Sequence, residues 1–221
     1  MSLRNIILAA FALATAVTAQ SLPTSASADV PFQVRYAVNL TASGYDAYIN
    51  IANDGAQGAA QFGTSLTGQA NTGSICANVY AFDQAEEIVA CCSCQITPDE
   101  TVGLSLARDI LAHSLTTVAV GSVTIKLVAS APGGNGSCTQ SAATLGTSQL
   151  VNGLLVWGTA AHRQYIGATT FFDAETQFLP AQLSASEQLS LATKCSFIVG
   201  NGSGPGICAS CETNALGAVK I

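Results

Sequence analysis

Charge is scarce in this chain. Only 9% of its 221 residues are Asp, Glu, Lys or Arg, and the formal net charge is −6. A disordered chain would carry more charge and fewer apolar residues than the 49% found here, so the composition points to a folded domain. The seven Lys and Arg are scattered, and without a clustered basic patch the chain is not expected to bind nucleic acid. Histidine is nearly absent. His113 and His162 stand far apart, neither is paired in sequence with a nucleophile, and no Gly-x-Ser-x-Gly elbow occurs. Gly200 to Gly206 lacks the Gly-Lys-Ser/Thr ending of a phosphate loop. No cofactor fingerprint is present, so no cofactor and no enzymatic activity are expected.

Long apolar runs are also missing, with one exception at the start. Arg4 precedes an uncharged apolar stretch from Ile6 to Val17, followed by the small-residue sites Val17-Thr18-Ala19 and Ala26-Ser27-Ala28. The run is too short for a membrane span and reads as a signal peptide. Cleavage is expected after Ala28, because Pro23 breaks the helix just upstream, with Ala19 as the alternative. The expected organisation is a leader over residues 1–28 and a single secreted β-rich domain over 29–221 with a cysteine-rich tail. No integral membrane segment is expected after cleavage, and the destination is the cell exterior or cell surface.

What the chain does have is cysteine. Cys76, Cys91, Cys92, Cys94, Cys138, Cys195, Cys208 and Cys211 all follow the leader. An even number in an exported chain implies disulfides, and eight cysteines allow 105 pairings, so connectivity stays open. Within Cys91-Cys92-Ser93-Cys94, a strand would put Cys92 and Cys94 on one face and Cys91 on the other. Cys76, on the facing strand of a hairpin, is expected opposite Cys94 or Cys92, which makes a cross-strand disulfide plausible. A metal site built from these thiols with Cys208 and Cys211 is the alternative, but zinc sites use C-x-x-C pairs at regular spacing and an oxidising compartment favours disulfides. No metal is expected. Cys208-Ala-Ser-Cys211 lies near the end of the chain, outside any βαβ pattern, and Glu212 stands where haem attachment needs His. Its expected role is to staple the tail.

Alternation at period two is sharpest at Val30, Phe32, Val34, Tyr36, Val38 and Leu40, which predicts a one-faced strand, with Pro31 marking an edge or terminus. Further strands are expected at Asp46 to Ala52, Ile75 to Phe82, Glu87 to Cys94, Val102 to Leu106, Val123 to Leu127, Asn152 to Thr159 and Tyr165 to Phe172. Asp109 to Leu115 reads as a helical turn. Ser184-x-x-Glu187 is a capping box ahead of a helix over Ala185 to Val199, stopped by Gly200. The expected fold is all-β and mainly antiparallel, a β-sandwich or jelly-roll with one C-terminal helix.

Carboxylates gather at Asp83, Glu86, Glu87, Asp99 and Glu100, a pattern that calcium sites and glycosidases share with ordinary solvated hairpin tips. Sequons begin at Asn39, Asn135 and Asn201. The stretches Cys76-Ala-Asn-Val-Tyr-Ala-Phe82 to Cys91-Cys-Ser-Cys94 and Gly200-Asn-Gly-Ser-Gly-Pro-Gly-Ile-Cys-Ala-Ser-Cys211 resemble a group of uncharacterised secreted bacterial proteins. The resemblance implies export and a cysteine-stapled β-rich fold, and no activity comes with it.

Three functions fit this reading, and the first is the one expected. The first is a structural or assembly protein of the cell surface, self-associating into filaments or a surface layer, with strand 30–40 completing a neighbour's sheet. The second is a secreted sandwich that binds carbohydrate or protein, with Tyr36, Tyr45, Tyr80, Trp157 and Tyr165 as candidate stacking rings, although core packing is their expected role. The third is an enzyme with no recognisable motif.

Overall fold

The computed structural model describes residues 30–40, 45–59, 72–115, 120–163, 170–204 and 206–212. The leader, Tyr165 and the last nine residues lie outside the described residues. Alternating apolar residues become strands β1 (Phe32–Val38), β2 (Tyr48–Asn53), β3 (Ile75–Phe82), β4 (Ile88–Ile96), β5 (Thr101–Ser105), β6 (Ser122–Ser130), β7 (Leu154–Arg163), β8 (Phe171–Gln177) and β9 (Leu179–Pro180). Two helices close the described chain, α1 (Ala185–Gly200) and the single turn α2 (Ala209–Glu212). The strands form two sheets, in the orders β4-β3-β6-β1-β9 and β5-β2-β7-β8. All named ladders are antiparallel. The fold is the all-β, disulfide-stapled sandwich with one main helix that the pattern predicts.

The two sheets share a corner. β8 pairs with β7 in the second sheet, and one residue later β9 pairs with β1 in the first. The residue between them, Phe178, is fully buried and its N–H donates to Val156 O at 2.8 Å. One bent strand therefore passes from sheet to sheet. Arg35 of β1 reaches this corner, where its guanidinium donates to Thr176 O at 2.9 Å and to the Thr176 hydroxyl. Gly158 makes room for it: a Cβ there would stand 2.7 Å from the Arg35 Cδ and Nε.

The layers explain the burial. Ile49, Ile51, Val79, Ile125, Leu127 and Val156 meet between the sheets. Phe32, Tyr80, Val128, Leu191 and Ile198 form a second core between the first sheet and α1. The first sheet is thus covered on both faces, and all eight residues of β3 are buried. α1 begins at Ser184, whose Oγ accepts the Glu187 N–H at 3.1 Å. The Glu187 carboxylate pairs with Lys126 of β6, which ties the helix start to the sheet. Leu191, Cys195 and Ile198 then face inward at helical spacing.

Covering both faces changes the reading of β1. Phe32, Val34 and Tyr36 do share a face, toward the α1 side, but Tyr36 is 62% exposed. The opposite face, with Gln33 2% and Ala37 1% exposed, packs toward the second sheet. Gln33 is tolerated there because its amide donates to Leu154 O at 2.8 Å. Val30 and Leu40 flank the strand, and Leu40 packs on the inter-sheet core instead of continuing the even face. β1 is registered to β6 from Phe32 to Val38, while β9 meets only Gln33 and Val34.

The hairpin β3–β4 also departs from expectation by one residue. The register shifts between Ala81 and Phe82, which pair with Ala90 and Ile88 and leave Val89 bulged. Without that extra residue Cys76 would face Cys94; with it, Cys76 faces Gln95 and Ala77 faces Cys94. Cys76 and Cys94 then point to opposite faces, and the expected cross-strand disulfide does not form. The helical turn expected at Asp109 to Leu115 starts earlier, as a π-helical turn over Leu106–Ile110 and a 3-10 turn over Leu111–His113.

Candidate functional site

The eight cysteines form four bridges: Cys76–Cys138, Cys91–Cys195, Cys92–Cys208 and Cys94–Cys211. Every bridge has one end in the β3–β4 hairpin. Cys91 reaches α1 on one face of β4, while Cys92 and Cys94 reach the tail from the other, as the alternation of the strand dictates. The tail also hydrogen-bonds along β4: Ser93 N–H donates to Gly206 O at 3.0 Å, and Cys208 N–H to Ser93 O at 3.2 Å. The open edge of the first sheet is covered this way. Cys208 and Cys211 thus bond to β4 and not to one another, and the tail is stapled as expected. Four disulfides fit an oxidising compartment, and no helix among the described residues is long and apolar enough to cross a membrane.

Two polar clusters stand out among the described residues, the first buried and the second reaching the surface at Arg108. Asn78 is fully buried on β3 and donates to Val128 O at 3.0 Å and to Ser130 Oγ at 2.9 Å. Its oxygen accepts from Ser93 Oγ at 2.8 Å, and Ser93 Oγ in turn accepts the Ala142 N–H at 2.8 Å. Beside it the Tyr80 hydroxyl donates to Ala142 O at 2.9 Å, and burial pushes that phenol's pKa upward. These bonds satisfy one another and fix the 3-10 turn Ser141–Ala143 onto the sheet. The second cluster surrounds Ser105. Asp46 accepts from the Ser105 hydroxyl and from Ala107 N–H at 3.0 Å, and Asp109 accepts Ser105 N–H at 2.7 Å and the Arg108 guanidinium at 3.0 Å. Burial alone would raise the Asp109 pKa, but Arg108, Ser210 and the Ser105 N–H stabilise the charged form and hold it below the ordinary value. Both clusters are spent on holding turns in place.

The remaining polar and aromatic surface of interest is the outer face of the second sheet. Ile49, Val156 and their neighbours point inward, so alternation turns Tyr48 and Asn50 of β2, Trp157 and Thr159 of β7, and Glu175 and Gln177 of β8 outward. Register sets them side by side: Asn50 faces Trp157, Trp157 faces Gln177, and Thr159 faces Glu175. Tyr48 is 46% exposed and Trp157 is half-buried. The Asn50 amide donates to the Glu175 carboxylate at 2.6 Å across the sheet. Two rings and a set of amide, hydroxyl and carboxylate groups therefore share one pleated surface.

The other residues singled out by sequence do not converge. Tyr36 stands on the first sheet, Tyr80 is buried, and Tyr45 packs on Phe171 with ring centroids 4.6 Å apart. His162 stacks on Phe172, while the side chain of His113 lies outside the described residues. Asp83 caps its own hairpin tip by accepting from Ala85 and Glu87 N–H, and Glu100 accepts from Thr97 in the β4–β5 turn. Asn39 donates to Ala161 O at 2.6 Å and is half-buried, whereas Asn135 and Asn201 are exposed. Sequence reasoning missed Tyr48, Asn50 and Glu175; the alternation of Tyr48, Asn50 and Ala52 in β2 was the available signal.

No family model matches the chain, and no curated protein matches it. Among solved structures, the crystal structure of Thermotoga maritima 1070 aligns over 69% of this chain and 97% of its own, at 9% identity and a TM-score of 0.38.

Proposed function

We propose that the protein is an exported binding module that takes carbohydrate on the outer face of its second sheet. The observation that carries this reading is the grouping of Tyr48 and Trp157 with the hydrogen-bonded pair Asn50–Glu175 on one exposed surface. Sugar rings present apolar C–H faces to aromatic rings and hydroxyls to amides and carboxylates, so a ligand of that class uses both kinds of group at once. The face sits on paired strands packed against the first sheet, which keeps the side chains in place before binding. Asp173 and Glu175, both exposed on β8, disfavour acidic polysaccharides.

The test is retention of the purified protein on insoluble cellulose, chitin and peptidoglycan, beside Trp157→Ala and Tyr48→Ala variants. Retention of the native protein on one glycan, weakened about tenfold in each variant, supports the reading. Passage of the folded native protein through all three refutes it for these polymers.

A second reading, assembly into filaments or a surface layer, rests on β1. It is the first described strand, and β9 covers only Gln33 and Val34 of its second edge. Strand donation would require β1 to leave β6, to which seven of its residues are registered. Electron microscopy of the intact protein beside a variant lacking residues 29–41 distinguishes ordered filaments from monomers.

A further inference from the structure

The order of the bridges carries information that their positions do not. Numbered along the chain, the first cysteine joins the fifth, the second the sixth, the third the seventh and the fourth the eighth. No bridge joins neighbouring cysteines. Cys76, Cys91, Cys92 and Cys94 all precede the first native partner, Cys138, and the bridges span 62, 104, 116 and 117 residues. A chain exported from its N-terminus presents its first four thiols to an oxidant before any correct partner exists.

Chain entropy then favours the wrong pairs. Cys91 lies 15 residues after Cys76. Closing that loop is favoured about eightfold over the native 62-residue loop of Cys76 and about eighteenfold over the native 104-residue loop of Cys91, because closure probability falls with about the 3/2 power of length. The hairpin does not correct the error by geometry alone, since three of its cysteines crowd into Cys91-Cys92-Ser93-Cys94. Once folded, three of the four native bridges are buried at both ends: Cys76, Cys91, Cys92, Cys138, Cys195 and Cys208 are each at most 5% exposed, and in the fourth Cys94 is buried while Cys211 is half-buried. Rearrangement has to happen before the sheets and α1 close.

We infer that the protein is a client of a thiol–disulfide isomerase, and that its partner in maturation is a catalyst bearing a reactive thiolate. Four bridges form from eight thiols with loss of eight protons and eight electrons to a disulfide oxidant. Rearrangement is redox-neutral. The catalyst's thiolate attacks one sulfur of a mispaired bridge, forming a mixed disulfide and releasing one chain thiolate. A chain thiolate then attacks the mixed disulfide, the chain bridge forms, and the catalyst leaves as its original thiolate.

The experiment refolds the full chain after reduction and denaturation, in three arms. One contains a thiol-free oxidant, one a glutathione redox buffer, and one that buffer with a catalytic amount of protein disulfide isomerase. The four pairings are read by peptide mapping without reduction. The expected result is mostly non-native pairing in the first arm, and native pairing in the third formed at least tenfold faster than in the second. In parallel, export in a bacterial host with its periplasmic oxidase but without its disulfide isomerase should lower the yield of the four-bridge form at least fivefold. Equal rates and yields of the native form in all three arms, or an undiminished yield in that host, overturn the inference.

Discussion

Cys91 and Cys92 are neighbours in the chain and opposites in the sheet, the first bonded to Cys195 of α1 and the second to Cys208 of the tail. The pleat of β4 turns adjacent side chains to opposite faces, so two adjacent residues anchor two different layers. Each bridge can therefore be tested for its own layer.

Removing one of the tail's two anchors by Cys92→Ser with Cys208→Ser should lower unfolding free energy by about 2 kcal/mol, because the intact Cys94–Cys211 bridge leaves it only a ring of about seven residues to close. It should also speed amide exchange at Ser93, whose N–H is held by Gly206 O. The check is denaturant unfolding with hydrogen exchange by mass spectrometry. An unchanged Ser93 protection factor would show that the tail stays on β4 without this bridge.

Asn78 serves three partners inside the first sheet. Asn78→Ala takes the acceptor from the buried Ser93 hydroxyl and one of two hydroxyl or amide partners from Ser130, and should cost about 3 kcal/mol. Asn135→Ala, at an exposed turn, should stay within about 0.5 kcal/mol. Urea midpoints of the two variants, with bridges intact, test the contrast.

Acid stability should depend on Asp109. Its carboxyl titrates below the ordinary value in the folded chain. Such a group stabilises the fold above the unfolded-state pKa, about 3.9, and this contribution is lost as pH falls through the folded value. Asp109→Asn should therefore be less stable than the native protein above about pH 4, with the gap closing below it. A series of denaturation curves from neutral pH downward gives the answer, and parallel pH profiles would remove Asp109 from the account.

At the corner of the sandwich, Gly158→Ala drives a methyl against the Arg35 side chain and, at 3.0 Å, against Phe178. The expected cost is about 1–3 kcal/mol. Pairing it with Arg35→Ala should recover part of that loss, and a double-mutant cycle with no coupling would show that the two side chains do not compete for the space.

Local pattern was enough to find the β3–β4 hairpin, the capped start of α1 at Ser184 and the faces of Cys91, Cys92 and Cys94, because each depends on residues a few positions apart. The bulge at Val89 was not legible. In a strand buried on both faces, apolar residues sit on either side, and a one-residue slip leaves the hydrophobic pattern unchanged. The same double burial hid Gln33 and Ala37 of β1 in the inter-sheet core. The candidate binding face was hidden for another reason: Tyr48, Trp157 and Glu175 are far apart in sequence and meet only through the order β2-β7-β8. Sheet order is set by the whole chain and not by any one segment.

The bridge between Cys94 and Cys211 has a mechanical meaning. A pull applied at β1 and at the chain beyond Cys211 enters β4 and leaves directly through that sulfur pair. Residues 95–210, which include five of the nine strands and α1, lie off the line of force and stay unstretched while the bond is intact. Under tension only the segment from β1 to Cys94 can pay out. Of the candidate binding face, β2 with Tyr48 and Asn50 lies in the segment that pays out, while β7 and β8 lie outside it.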